Sequence, residues 1–223
     1  ELVQRSDDGT DIIARARVVC WANQYRLVSA SFQRATGESL RSGLKVLLQV
    51  RVAFHENYGL SLMIQDVDPS YTLGSVVQRR KDILQQLEAD GILHDNQSLP
   101  LSPFCPRIAI ISSETAAGYG DFCHQLLHNS YQLSFRLQLF PAVMQGEHVE
   151  ESVAAALERI AGEAEQWDVV VIIRGGGASS DLSDFDSYVL ATGVAQCPLP
   201  VFTGIGHELD ETVLDFVAHS RFK

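Results

Sequence analysis

The stretch that most constrains this chain is Val169–Gly177, Val-Val-Val-Ile-Ile-Arg-Gly-Gly-Gly. A run of β-branched residues with no polar alternation reads as a strand buried on both faces, the pattern of a central parallel strand. Arg174 ends the run, because a charge cannot continue such a strand without a partner. Three glycines follow, then Ala178, Ser179, Ser180 and Asp181, the last three all good helix N-caps. A guanidinium, a loop without side chains and a helix N-terminus with free N–H groups therefore meet at the carboxyl end of a buried strand. That combination suits an anion, most often phosphate. A plain glycine turn with Arg174 in a structural ion pair is the alternative.

The rest of the C-terminal sequence fits a sheet around this strand. Strands are expected at Ile108–Ser112, Phe135–Phe140, Val169–Ile173 and Leu199–Thr203. Helices are expected at about Ala116–His128, Val149–Glu165, Leu182–Ala195 and Glu208–Ala218. In the second helix Val149, Val153, Ala156, Leu157, Ile160 and Ala164 make one apolar face. Strands alternating with helices imply right-handed crossovers and a mainly parallel sheet covered on both faces. Ligands of such sheets lie beyond the carboxyl ends of the strands.

Residues 11–67 read instead as β. Ile12–Cys20, Arg26–Phe32, Leu44–Phe54 and Leu60–Val67 are candidate strands separated by turns, which suggests a small barrel or meander. Arg15, Arg17, Arg26, Arg34, Lys45 and Arg51 are interleaved with Trp21, Tyr25, Phe32, Phe54 and Tyr58. Cations among aromatics suit single-stranded nucleic acid, where phosphates pair and bases stack. Aromatics in a core beneath solvated cations are the commoner meaning of such a pattern. Leu73–Asp90 reads as a connecting helix ended by Gly91, and Arg79-Arg80-Lys81 within it as a solvated face. Residues 91–106, with Gly91, Pro100, Pro103 and Pro106, read as an irregular connection, so that 73–106 joins the two parts.

Charge divides the chain in the same way. Residues 1–81 hold 11 Lys+Arg against 8 Asp+Glu, and residues 82–223 hold 6 against 20. The net −11 taken alone argues against a nucleic-acid partner, but its distribution suggests two domains with different tasks. No apolar run approaches the roughly 18–20 residues of a membrane span. No secretory leader opens the chain, and Cys20, Cys105, Cys123 and Cys197 lack zinc or paired spacing, so a cytoplasmic protein with reduced thiols is expected. The opening at Glu1 without an initiator Met leads us to expect a piece of a longer protein.

Three loops converge on the expected rim. After the first strand of the sheet comes Ser112–Asp121, after the third Arg174 with Gly175, Gly176 and Gly177, and after the fourth Thr203–Asp210. Asp121, Arg174, His207 and Asp210 would then share one edge, with Asp210 one helical turn from His207. A carboxylate orients an imidazole and raises its basicity, while an Arg stabilises charge on a phosphoryl oxygen. Base, orienter and anion clamp together suit phosphodiester hydrolysis. A hydrogen-bonded structural histidine and a surface aspartate are the plainer fates of His207 and Asp121. Asp181, Asp184 and Asp186 read as cap and first-turn residues favoured by the helix dipole, outside the catalytic set. There is no Gly-x-Ser-x-Gly elbow, no P-loop, and no Gly-x-Gly-x-x-Gly after a first strand.

Arg174-Gly175-Gly176-Gly177-Ala178-Ser179-Ser180-Asp181-Leu182, followed by Gly204-Ile205-Gly206-His207-Glu208 with Asp210, Thr212 and Asp215, resembles the large subunit of bacterial exodeoxyribonuclease VII. Phe140–Gly146 resembles the family's second-strand exit, and Leu44–Pro69 the end of its N-terminal OB-fold. The resemblance implies a partial OB-like barrel over 1–72 that binds single-stranded DNA, followed by an α/β catalytic domain over 73–223. It implies hydrolysis of single-stranded DNA from both ends to short oligonucleotides, with Asp121, Arg174, His207 and Asp210 as the essential residues. It also implies a small-subunit partner, recruited by helices after Lys223, and an opening OB strand before Glu1, so the piece in hand is expected to fold but to show little nuclease activity. Two departures stand out. Ser113-Glu114-Thr115-Ala116-Ala117 replaces the family's Ser-Pro-Thr-Gly-Ala, and Gly120 stands where a basic residue often precedes the Asp. Mg²⁺ is a candidate cofactor, with Asp121, Asp210 and Glu208 as its oxygen ligands. Two further readings are a non-catalytic single-strand-binding module and a phosphosugar- or nucleotide-binding α/β domain.

Overall fold

The computed structural model describes residues 2–5, 12–36, 39–40, 42–56, 59–174, 179–206 and 211–222, in two compact units, Glu1–Ser75 and Val76–Lys223. In the first unit β1 (Leu2–Arg5) pairs antiparallel with β2 (Ile12–Ala16). The short β3 (Val18–Val19) runs parallel to β5 (Gly59–Asp68), and β5 pairs antiparallel with β4 (Leu47–His55), giving the order β3-β5-β4. Among the described residues these strands make a two-stranded and a three-stranded sheet, not a closed barrel.

The strand expected over Arg26–Phe32 is a helix. It belongs to α1, Ala22–Thr36. Val28 and Phe32, four residues apart, lie on one helical face and are buried with Val67, against Leu40, Leu44, Val46 and Leu48. Ala, Gln, Leu and Arg around them are strong helix formers, and that outweighs the partial alternation. The strand expected over Ile12–Cys20 is likewise split at Arg17, because β2 and β3 serve different sheets.

The next helix, α2 (Pro69–Ala89), starts where its chemistry dictates. Pro69 suits the first helical turn, and the Asp68 carboxylate accepts from the Ser70 N–H at 2.9 Å and the Ser70 hydroxyl at 2.6 Å. Those bonds hold the Asp68 carboxyl below its ordinary range.

Among the described residues of the second unit five strands run parallel: β6 (Arg107–Ser112), β7 (Arg136–Pro141), β8 (Val169–Ile173), β9 (Val201–Gly204) and β10 (Ser220–Arg221). Their order is β10-β9-β8-β6-β7. Every residue of β8 is buried. Its side chains alternate between two cores, as strand geometry requires. Val170 and Ile172, with Ala109 and Ile111 of β6, meet Leu87 of α2 and the buried faces of α4 (Val149–Gly162), α5 (Tyr188–Ala195) and α6 (Val213–Val217). Val169, Val171 and Ile173 join Ile108 and Ile110 beneath Tyr119, Phe122, Cys123 and Leu126 of α3 (Ala117–Leu127). The four cysteines are free.

Two expected helices are shorter than the sequence suggests. Leu182–Ala195 breaks into a 3-10 turn, Ser179–Phe185, and α5, because Ser187 caps α5 by accepting from the Leu190 N–H. Within Glu208–Ala218, α6 covers Val213–Val217, and residues 208–210 lie outside the described residues. The stretch 91–106 is irregular apart from the 3-10 turn Asn96–Ser98, and one side chain pins it. Asn96, fully buried, donates from Nδ2 to the Cys197 and Leu199 carbonyls at 3.2 and 2.9 Å. Its Oδ1 accepts from the Val201 and His219 N–H groups at 2.9 and 3.1 Å.

Removing that side chain strands buried backbone groups, each costing about 1–3 kcal/mol. Asn96→Ala should therefore lower the unfolding free energy by about 3–5 kcal/mol in a urea titration. Acid sensitivity should come partly from Asp168, whose carboxylate accepts from the Arg107 backbone N–H at 2.8 Å and from its guanidinium. Those bonds lower the Asp168 pKa, with burial opposing. The stabilisation is present above the unfolded aspartate value of about 3.9 and is lost as pH falls through the lower folded value. Asp168→Asn should flatten the acid limb of a thermal-stability profile below about pH 4.

Candidate active site at the carboxyl edge of the sheet

The strand order decides where a ligand can enter. The chain goes from β6 to β7 on one side, then returns to place β8 on the other side of β6, so the order reverses between β6 and β8. At such a point the connections leave in opposite directions and open a crevice beyond the carboxyl ends of the two strands. Arg174 directly follows β8 and is 8% exposed.

The strand ends at this edge are laced together. The Ser112 hydroxyl, buried at the end of β6, donates to the Ile173 carbonyl at the end of β8 at 2.7 Å. The Arg174 N–H donates to the Gly204 carbonyl of β9 at 3.1 Å, and the Ala142 N–H after β7 donates to the Ser112 carbonyl at 2.9 Å. Exits of four neighbouring strands are thus held at fixed spacing. The backbone at Arg174 is set by this lacing, which holds a nearly buried cation at the end of β8.

Asp121 lies on α3, the helix that follows β6, and its side chain is exposed. It therefore comes from the loop-and-helix segment flanking the crevice on the β6 side. Gly175, Gly176, Gly177, His207, Glu208 and Asp210 lie outside the described residues. Their segments leave from described anchors, Arg174 on one side and Gly206 on the other, after the neighbouring strands β8 and β9.

Several polar residues at this edge have roles the sequence reading missed. Asp215, 6% exposed, accepts from the Thr203 hydroxyl of β9 at 2.6 Å and from the Thr212 N–H at 3.0 Å. The Thr212-x-x-Asp215 spacing, a capping-box signature, was the available signal. Asp184 accepts from the Gly146 N–H at 2.8 Å, and the Ser187 hydroxyl donates to Glu150. Asp186 is not a solvated first-turn residue: it is 1% exposed and accepts from Arg80 of α2 and from the Val213 N–H. Burial pushes its carboxyl above the ordinary range, while Arg80, the Val213 N–H and Arg79 pull it down. Arg80 is accordingly not part of a purely solvated face.

Comparison with known proteins shows the family to which the chain belongs. Residues 92–223 match the family described as exonuclease VII, large subunit. The exodeoxyribonuclease 7 large subunit of Deinococcus radiodurans is 35% identical over 227 aligned positions, covering 99% of this chain and 55% of that protein. The protein of the same name from Cyanothece sp. is 32% identical, covering 91% and 45%. That from Shouchella clausii is 32% identical, covering 86% and 41%. The chain spans about half the length of the curated relatives it matches.

Asp215→Ala would strand the Thr203 hydroxyl and the Thr212 N–H at the base of the β9–α6 segment. It should lower the unfolding free energy by about 2–4 kcal/mol, read by denaturant titration of tryptophan fluorescence.

Proposed function

Because the chain belongs to the exonuclease VII large-subunit family, we propose that it is the DNA-binding and catalytic portion of a nuclease that hydrolyses single-stranded DNA from both ends into short oligonucleotides. The observation that carries this reading is a buried guanidinium, Arg174, placed directly after a fully buried parallel strand beside the reversal point of the sheet. A fixed cation there suits a phosphoryl oxygen. The names of the relatives, exodeoxyribonucleases, point the same way.

In the proposed mechanism Arg174 and the N–H groups of Gly175, Gly176 and Gly177 hold the scissile phosphate. His207 moves a proton to or from the attacking water or the leaving oxygen, oriented by Asp210. Asp121 positions the water. Asp121, Glu208 and Asp210 are hard oxygen donors of the type Mg²⁺ takes, and such an ion would neutralise charge on the phosphate. Of these three, Asp121 belongs to the described residues, and its exposed carboxylate is compatible with a hydrated cation.

The N-terminal unit is proposed to be a partial OB-like module that binds single-stranded DNA. Trp21, Tyr25 and Phe54 are 69%, 48% and 74% exposed, available for stacking on bases rather than committed to a core. A small subunit is the proposed partner, as the large-subunit name of the relatives suggests. The cytoplasm is the proposed location; among the described residues no helix is long and apolar enough to cross a membrane.

The test is degradation of single- and double-stranded DNA by the full-length chain with its small subunit, with and without chelator. Single strands should be consumed and duplexes spared. His207→Ala should lower turnover by about 10²–10⁴-fold while DNA binding stays nearly intact. Unchanged turnover would remove His207 from the chemistry, and equal rates on duplex would remove the single-strand reading.

A further inference from the structure

We propose that Asp186 is a positioning residue for this site, acting through Arg80 and through the backbone at the start of α6. The proposal rests on the nuclease reading. Asp186 lies between the 3-10 turn Ser179–Phe185 and α5, on the segment that continues from the glycine loop. Its Oδ2 accepts from Arg80 Nε at 2.5 Å, and its Oδ1 accepts from the Val213 N–H at 2.9 Å. Val213 opens α6, on the segment that continues from residues 207–210. One buried carboxylate therefore ties the outgoing chain of the β8 loop to the outgoing chain of the β9 loop, and both to α2.

The neighbouring anchors do something different. Asp184 fastens the same segment to Gly146 after β7, and Ser187 fastens it to Glu150 of α4. Asp186 is bonded across to the β9 side, through the Val213 N–H. A carboxylate at 1% exposure is a costly way to hold two segments if stability is the only requirement, since apolar residues of similar volume can do as well or better. What the ion pair adds is direction: two lone-pair-bearing oxygens point at two fixed donors, so the separation of the segments is set within hydrogen-bond tolerance. Displacements of about 1 Å at a reacting centre can lower rates about 100-fold, which is the scale on which such a tie acts. Arg80 completes it from α2, at 28% exposure.

The experiment uses the full-length chain with its small subunit, acting on single-stranded oligonucleotide at a temperature where circular dichroism shows each variant folded. Asp186→Asn keeps an oxygen for Val213 and loses the charge that holds Arg80. It should lower kcat about 10- to 100-fold with little change in KM. Arg80→Gln should do the same, and the double variant should be no slower than the slower single variant, the signature of residues acting as one unit. Arg80→Lys, which keeps a cation, should recover part of the rate. Losses that multiply in the double variant, or an unchanged kcat in folded Asp186→Asn and Arg80→Gln, would overturn the proposal. If Asp186→Asn does not fold, Arg80→Gln decides, because its amide can still donate to the buried Asp186 carboxylate while the charge is lost. A wild-type assembly that leaves single-stranded DNA intact would overturn the nuclease reading itself, an outcome visible before any variant is compared.

Discussion

The structure of the second unit depends on the burial of Val169–Ile173 on both faces of the sheet. Those five residues feed two hydrophobic clusters at once, one under α2, α4, α5 and α6, the other under α3. Neither cluster is complete without β8, so helices on both sides are committed to it. The same commitment fixes where polarity begins. Arg174 stands at the first position after the strand, still nearly buried, and its backbone is tied to Gly204. A cation so placed owes its position to the hydrophobic effect acting on its predecessors.

This explains which parts of the architecture were legible in the sequence. The strands β6 and β8 announce themselves because parallel strands covered on both faces are continuous apolar runs, whereas β7, at the edge of the sheet, shows itself by the alternation Arg136-Leu137-Gln138-Leu139. The helix α4 does so because Val149, Val153, Ala156, Leu157 and Ile160 recur at helical spacing and are all buried. The helix α1 was misread because Val28 and Phe32 alone declare its face, and a pair of apolar residues supports either period. The break before α5 was missed because it is set by a serine cap and a buried aspartate, and both look like ordinary first-turn residues in the sequence.

For the candidate site the division is similar. The place of Arg174 at the end of β8 was legible because a charge has to end a β-branched run buried on both faces. Asp121 was placed on the right helix because α3 follows β6 with only a short loop. The polar lacing was not legible. Ser112 acts on Ile173, Arg80 acts on Asp186, and Asp215 acts on Thr203, pairs joined by topology rather than by sequence spacing. Local chemistry can say that a side chain is polar; only the fold says which backbone group it meets. Thr212 and Asp215 are the exception, because a helix cap is a local device.

Asn96 carries a consequence for how the chain is made. Its four partners lie at Cys197, Leu199, Val201 and His219, the last of them 123 residues downstream. During synthesis this amide emerges before its partners, the first of which, Cys197, is made 101 residues later. Closing so long a loop also makes the contact one of the slow, non-local kind. The unit should therefore assemble its β6–β7 half while still nascent and lock only as residues 197–219 arrive, so that ribosomal stalling before residue 197 leaves a partial sheet with an unsatisfied polar centre for chaperones to shield.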